Sequence, residues 1–224
     1  MEVALAAYPC DAEIIVVNNT STDNTKQVAL SFPGVRVVDE LKKGLTRARQ
    51  AGFVAATGDL IANIDADTML PKTWLPTVMK EFAGNDRLVA LSGPYIYTDL
   101  PLPHRIAVRF FYAVGYIAYA VNKHLLRMGS MLQGGNYIVR RDAIQKIGGY
   151  DTTIEFYGED TDIARRLTPL GDVVWTFRLP MYTSGRRIAH EGIFHMGLKY
   201  GINYIWTAFV GRPYSSEYID VRSH

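Results

Sequence analysis

A chain of 224 residues with 48% hydrophobic side chains is long enough to bury one full α/β core. Its 24 Lys and Arg nearly balance 22 Asp and Glu, and the net +2 leaves no electrostatic footprint for a nucleic-acid partner, so any anion has to be held locally. The one cysteine, Cys10, excludes an internal disulfide and fits a reducing compartment; the N-terminus carries no basic-then-apolar leader, so a cytoplasmic setting is expected.

In chain order, apolar runs rich in Val and Ile alternate with longer mixed segments, the pattern of strands covered by helices, and an α/β fold is expected. Glu13–Asn18 reads as a strand. Asn19 to Thr25 reads as a polar turn into a helix ending near Ser31, with Ser21, Thr22 or Asp23 as its cap. Val35–Val38 is a second short strand, and Gly44 to Thr57 a helix with Arg47 and Arg49 in its early turns. Gly58 ends that helix before a strand over Asp59–Ile64. A further helix opens near Pro71, covers Trp74 to Phe82 and precedes a strand at Leu88–Ser92. An apolar and aromatic segment runs from Ile106 to Leu126. Arg109, Tyr112, Tyr116 and Tyr119 make it poor as a membrane span, which takes about 20 apolar residues. Gly134-Gly135 marks a turn, Asn136–Arg140 a strand, Asp142 a helix start, Glu155–Asp162 an acidic cluster and Val173–Phe177 a last strand.

Asp65 and Asp67 lie two apart just past a strand, at the edge where open α/β sheets bind ligands. Hard divalent cations such as Mg2+ or Mn2+ prefer carboxylate oxygens and complete their shell with water and phosphate, so this pair suffices to hold one; a solvated turn is the plain alternative. In the acidic cluster Gly158 opens a helix whose first residues, Glu159 and Asp160, suit the positive end of its dipole. Asp160 is the candidate general base, with Glu159 beside it in the catalytic set. Arg165 and Arg166 follow within about two turns, one to pair with the cluster and the other to meet phosphate. Asn18, Asn19 and Asp23 can hold a base or ribose, Arg47 or Arg49 can reach a diphosphate, and Arg186 and Arg187 in Thr183-Ser-Gly-Arg-Arg187 form a further candidate phosphate clamp. His190 and His195 are candidate metal ligands, although a lone histidine is more often structural.

These segments, in this order, resemble the family 2 glycosyltransferases. Val16-Val-Asn-Asn-Thr-Ser-Thr-Asp-Asn-Thr25 is similar to the family's strand-turn, with Asn18-Asn19 where Asp-Asp is usual. Ala48-Arg49-Gln50 resembles its Ala-Arg-Asn helix, Ile64-Asp-Ala-Asp67 its Asp-x-Asp, Gly134-Gly135-Asn136 its acceptor-side strand, and Gly158-Glu-Asp160 its Glu-Asp pair. The resemblance implies a GT-A fold, α/β with a mixed, mostly parallel central sheet flanked by helices. It implies a single domain over 1–224, with a nucleotide-sugar-binding half (1–100), an acceptor half (101–187) and a C-terminal helical extension (188–224). It further implies an inverting single displacement from a nucleoside-diphosphate sugar, UDP-linked by preference, to a carbohydrate or lipid-linked acceptor, in the service of cell-envelope polysaccharide.

In the implied site Asp67 holds the metal, Asp65 contacts metal or ribose, Asn19 and Arg49 contact the nucleotide, Gly135 lines the acceptor strand and Asp160 is the base. The family begins with an apolar strand, whereas Met1 to Tyr8 reads as the helix after it, so a chain lacking its first strand, with Met1 internal to a longer protein, is expected. Binding of a nucleotide sugar without turnover is the rival reading. A nucleotidyltransferase would carry an N-terminal Gly-rich phosphate loop, which this sequence does not have. Arg105–Lys123 and Phe194–Phe209 mix aromatic and basic residues, which suits a membrane surface at the inner face as well as core packing or a dimer contact.

Overall fold

A computed structural model describes residues 2–121 and 131–210. Its elements in chain order are α1 (Glu2–Ala7), β1 (Ile14–Asn18), α2 (Thr25–Leu30), β2 (Val35–Asp39), α3 (Leu45–Ala55), β3 (Leu60–Ile64), β4 (Thr68–Met69), α4 (Trp74–Gly84), β5 (Leu88–Ser92) and β6 (Tyr95–Tyr97). Then come α5 (Leu102–Val121), β7 (Asn136–Arg140), α6 (Arg141–Lys146), α7 (Glu159–Leu167), a 3-10 turn, β8 (Asp172–Trp175), β9 (Met181–Thr183), α8 (Arg186–Glu191) and α9 (Ile193–Val210). The longer strands and helices lie where periodicity places them. The two- and three-residue strands β4, β6 and β9 are too short to carry a period.

Four local expectations change. Pro71 precedes α4 instead of opening it, its carbonyl accepting from Trp74 N–H at 3.0 Å. At α2 the N-cap position is Asn24, which makes no side-chain cap bond, and none of Ser21, Thr22 or Asp23 takes that position; Asp23 Oδ1 accepts from Thr25 N–H at 3.0 Å just ahead of the helix. β8 stops at Trp175, two residues before Phe177. The apolar stretch from Ile106 is the body of α5, and its end beyond Val121 lies outside the described residues.

Strand order is β1-β2, β3-β7-β5-β8 and β4-β9-β6, three sheets in place of one. The sheets are mixed as expected. Their pairings among the described residues are not mostly parallel, however: β1/β2, β5/β8 and β6/β9 run parallel, and β3/β7, β5/β7 and β4/β9 antiparallel. The cause in the four-stranded sheet is β7, which enters between β3 and β5 against both. β3 and β5 therefore run the same way, and their carboxyl ends share one edge.

Side chains of β7 alternate between two cores, as a period of two requires. Tyr137 and Val139 face a cluster built on α6 and α7 through Ile144, Ile163 and Leu167. Ile138 faces Trp74, Val78 and Phe82 of α4. Asn136 is fully buried and satisfied: Trp74 Nε1 donates to its Oδ1 at 3.0 Å, and its Nδ2 donates to the carbonyls of Gly93 and Leu179 at 3.0 Å each. β1 is only half-buried along its length, unlike β5, which is buried throughout.

Candidate active site

The carboxyl edge of β3 delivers Asp65, whose backbone N–H donates to Gly135 O at 3.3 Å, so the acidic turn is stitched to the start of β7. Gly135 has φ +77, and a Cβ there would fall inside the Asp65 carboxyl and the Tyr95 hydroxyl. On the other side of the same loop, Gly134 N–H donates to Asp160 Oδ2 at 3.1 Å, and a Cβ on Gly134 would stand 2.9 Å from Glu159 Oε1. Two side-chain-free residues thus let carboxylates approach from both faces.

Glu159 and Asp160 open α7 behind Gly158, which sits in the left-handed region at φ +79. Glu159 is buried at 4% exposure and ion-paired with Arg49 of α3, whose guanidinium also stands 3.8 Å from Asp65 and over the Tyr137 ring. Burial opposes charge on Arg49, but Glu159, Tyr137 and Asp65 outweigh it and push its pKa up, so it remains a cation. Burial pushes Glu159 up to about 7 against the pull of Arg49, and its Oε2 has no hydrogen-bond partner. Burial likewise raises Asp160 and Asp65, with Arg49 opposing in both. Tyr95 donates to Asp65 Oδ2 at 3.0 Å and also contacts Gly134 O; burial and Asp65 hold its phenol far above the usual range. Asp67 meets Arg186 at 3.1 Å.

The structure therefore gathers Asp65, Arg49, Gly135, Glu159 and Asp160 around one loop, with Asp67 and Arg186 paired beside it. Other candidates are engaged elsewhere. Arg165 and Arg166 both pair with Asp162, at 3.0 and 2.7 Å, because spacings of three and four put all three side chains on one face of α7. Arg166 also donates to the carbonyls of Ile147 and Gly149. Arg166 is thereby committed to the fold, and Arg165 is anchored to Asp162 through one nitrogen. Arg187 pairs with Glu191 and lies over the Phe156 ring, so of the expected clamp Arg186 alone faces the acidic turn.

Asn19 is used up in the fold: its Nδ2 donates to the carbonyls of Glu40 and Lys42, and its Oδ1 accepts from Gly44 N–H. Asn18 donates to Asp39, and Asp23 accepts from Thr25 N–H at the start of α2. Arg47 packs its stem beside Gly44. Among the described residues no three His, Cys, Asp or Glu side chains converge as a metal cluster, so His190 on α8 does not join Asp65 and Asp67. The candidate His195 falls on a side chain outside the described ones.

Tyr95 is the residue that sequence reasoning missed. The available signal was positional: it lies three residues past β5, on the edge that also carries Asp65. Gln133 was missed as well. It accepts from Tyr112 of α5 through Oε1 and donates its N–H to Ser92 Oγ, which fixes the loop entering Gly134.

Four carboxylates and two guanidinium groups make a site with surplus negative charge and oxygen donors only, which fits a hard divalent cation at Asp65 and Asp67 completed by ligands from a bound phosphate.

The family model described as Glycosyl transferase family 2 matches residues 2–148. A glucosyl-dolichyl phosphate glucuronosyltransferase from Haloferax volcanii is 24% identical over 157 residues, 68% of this chain and 50% of that protein. The chain spans half or less of the length of the curated relatives it matches. Among solved structures, a mannosyltransferase from Pyrobaculum calidifontis in complex with GDP-Man and Mn2+ superposes with a TM-score of 0.65 at 20% identity, covering 89% of this chain and 54% of that one. Glucosyl-3-phosphoglycerate synthase from Mycobacterium tuberculosis, with Mn2+, UDP-glucose and phosphoglyceric acid, gives 0.60 at 18% identity, covering 96% and 76%. The fold shared with both is the GT-A fold.

Proposed function

The chain belongs to glycosyl transferase family 2, and we propose on that premise that it moves a sugar from a nucleoside-diphosphate sugar to an acceptor hydroxyl by metal-assisted single displacement with inversion. The observation that carries the reading is the Gly134–Gly135 loop, which has Asp65 against one residue and Asp160 against the next. Asp67 and Asp65 would hold Mg2+ or Mn2+, and the metal would supply charge stabilisation to the departing diphosphate. Arg186, which pairs with Asp67, would supply a cation to that diphosphate. Asp160 accepts the proton of the attacking hydroxyl; burial raises its pKa and so strengthens it as a base. Glu159 and Arg49 fix each other behind it.

The donor half spans 1–100 and the acceptor half 101–187. Solved relatives carry GDP-Man in one case and UDP-glucose in another, and a UDP-sugar is the donor proposed here. The acceptor is a carbohydrate or lipid-linked hydroxyl on the cytoplasmic side, within cell-envelope polysaccharide assembly. Donor hydrolysis and transfer measured with and without Mn2+ test the reading. Asp67→Ala should lower turnover by about a hundredfold or more and abolish the response to metal; full activity in that variant would overturn it.

A second reading, donor binding without turnover, is favoured by one observation: β1–β2, with Asn18 ending β1 and Asn19 just past it, form a sheet apart from the one that ends at Asp65. Tight binding of a nucleoside diphosphate with no product under any donor would select it.

A further inference from the structure

Helix α5 has two unlike faces. Its inner face is built into the protein: Val108 is buried, Tyr112 accepts from Tyr95 N–H and donates to Gln133, and Tyr119 is buried beside Trp175. Its outer face shows Leu102, Ile106, Phe110, Val114, Ile117 and Val121 at spacings of three and four, a continuous apolar stripe. Phe110 is 66% exposed and Ile117 63%. Tyr116, half-exposed, packs 5.4 Å from the equally open Phe177 and widens the stripe. On α9, Leu198, Ile202 and Trp206 repeat the pattern at spacings of four, and the two helices meet where the Phe111 ring lies against Gly197. A contiguous apolar surface of this kind marks an interaction site.

Charge identifies the partner. The chain has 22 Asp and Glu, yet neither α5 nor α9 carries one, while Arg105, Arg109 and Lys199 lie along them. We propose that this face docks on an anionic lipid bilayer, with the helix axes in the plane of the surface, the apolar stripe about 5–10 Å into the headgroup boundary and the basic residues at the phosphates. Phe110, Tyr116 and Trp206 are aromatic residues of the kind that favour that boundary. No described helix is long and apolar enough to cross the membrane, in keeping with a helix that lies on it. A second copy fits the face less well, since the basic residues of α5 and α9 would meet their own like with no carboxylate on either described helix to pair with them.

The contact needs neither donor nor turnover, so it stands apart from the transfer reading. Flotation of the full chain with phosphatidylcholine vesicles, and with vesicles containing about a third phosphatidylglycerol, tests it directly. Binding to the anionic vesicles at low salt, reduced about tenfold by added salt or by the double substitution Phe110→Glu and Ile117→Glu, is expected. Both substituted residues are exposed, so the thermal melt should be unchanged in the variant. No flotation with the anionic vesicles at low salt, or equal flotation of the double variant, would overturn the proposal. Light scattering that finds a dimer in the parent chain and a monomer in the double variant would assign the face to a second copy and overturn it equally.

Discussion

Replacing Glu159 by Gln should change how stability depends on pH in a way that isolates one buried proton. Glu159 moves from its ordinary 4.5 to about 7 in the folded chain, chiefly through burial. The folded chain therefore keeps a proton that the unfolded chain releases between those values. Stability falls as pH rises through that window and stays lower above it. At about 1.36 kcal/mol per pH unit the loss is about 3 kcal/mol, a sizeable share of the few to fifteen kcal/mol that hold a domain together. Gln cannot ionise, keeps the shape and still offers Arg49 an amide oxygen, so the variant should lose this part of the slope. Asp65 and Asp160, raised in the same direction, are present in both chains and share the field of Glu159, so the difference between the chains reads Glu159 together with its coupling to them. Urea melts of parent and variant from pH 5 to pH 9 read the difference without any assay of turnover. The parent should weaken steadily up to about pH 7, and the Gln variant should lack that part of the decline. Equal slopes in the two chains would refute the argument, because they would mean that Arg49 holds Glu159 ionised throughout.

Two further substitutions address the chemistry. Asp160→Asn keeps the acceptor for Gly134 N–H but removes the base, so turnover should fall by about 10²–10⁴ with nucleoside-diphosphate affinity unchanged; a parallel loss of affinity, read by calorimetry, would instead make Asp160 part of the donor site. Gly135→Ala places a methyl group inside the Asp65 carboxyl at a left-handed φ, costing more than about 1 kcal/mol from backbone strain alone, and should weaken Mn2+ binding measured without sugar donor; an unchanged metal affinity would count against Asp65 as a ligand.

What the sequence made legible was whatever repeats or sits at an element's end. Asp65 and Asp67 stand out because a mostly apolar strand stops beside them, and Glu159-Asp160 because Gly158 and three early acids announce a helix start. Arg49 was readable as a cation near that edge, though not as the partner of Glu159, 110 positions away. Arg165 and Arg166 resemble Arg49 in composition and differ in spacing: at three and four residues from Asp162 they are consumed locally, and only the helical period reveals it. Asn18 and Asn19 look like ligand groups because they are polar and close a strand. Both amides are used by the chain itself: Asn19 meets the carbonyls of Glu40 and Lys42 and the N–H of Gly44, which have no ladder to satisfy them, and Asn18 donates to Asp39. Tyr95 carries no periodic signal at all, and its part in the site exists only through a contact across 30 residues.

The paired glycines explain why acids so distant in sequence can converge. A strand normally presents side chains to both faces, and any side chain at 134 or 135 would hold Asp65 and Asp160 apart by its own width. Without Cβ atoms the loop becomes a thin partition, tied to Asp160 by one N–H, to Asp65 by one carbonyl, and to Ser92 and Tyr112 through Gln133. Like charges on either side of so thin a wall repel, which is one reason Asp65 is harder to ionise: Asp160 and Asp67 both raise it. The fold sustains that repulsion with Arg49, buried to 8% exposure and shared between Glu159 and Asp65. One guanidinium cannot neutralise three carboxylates. The charge left over at the mouth of the site, where Asp67 and Arg186 are exposed, is what a divalent cation would relieve.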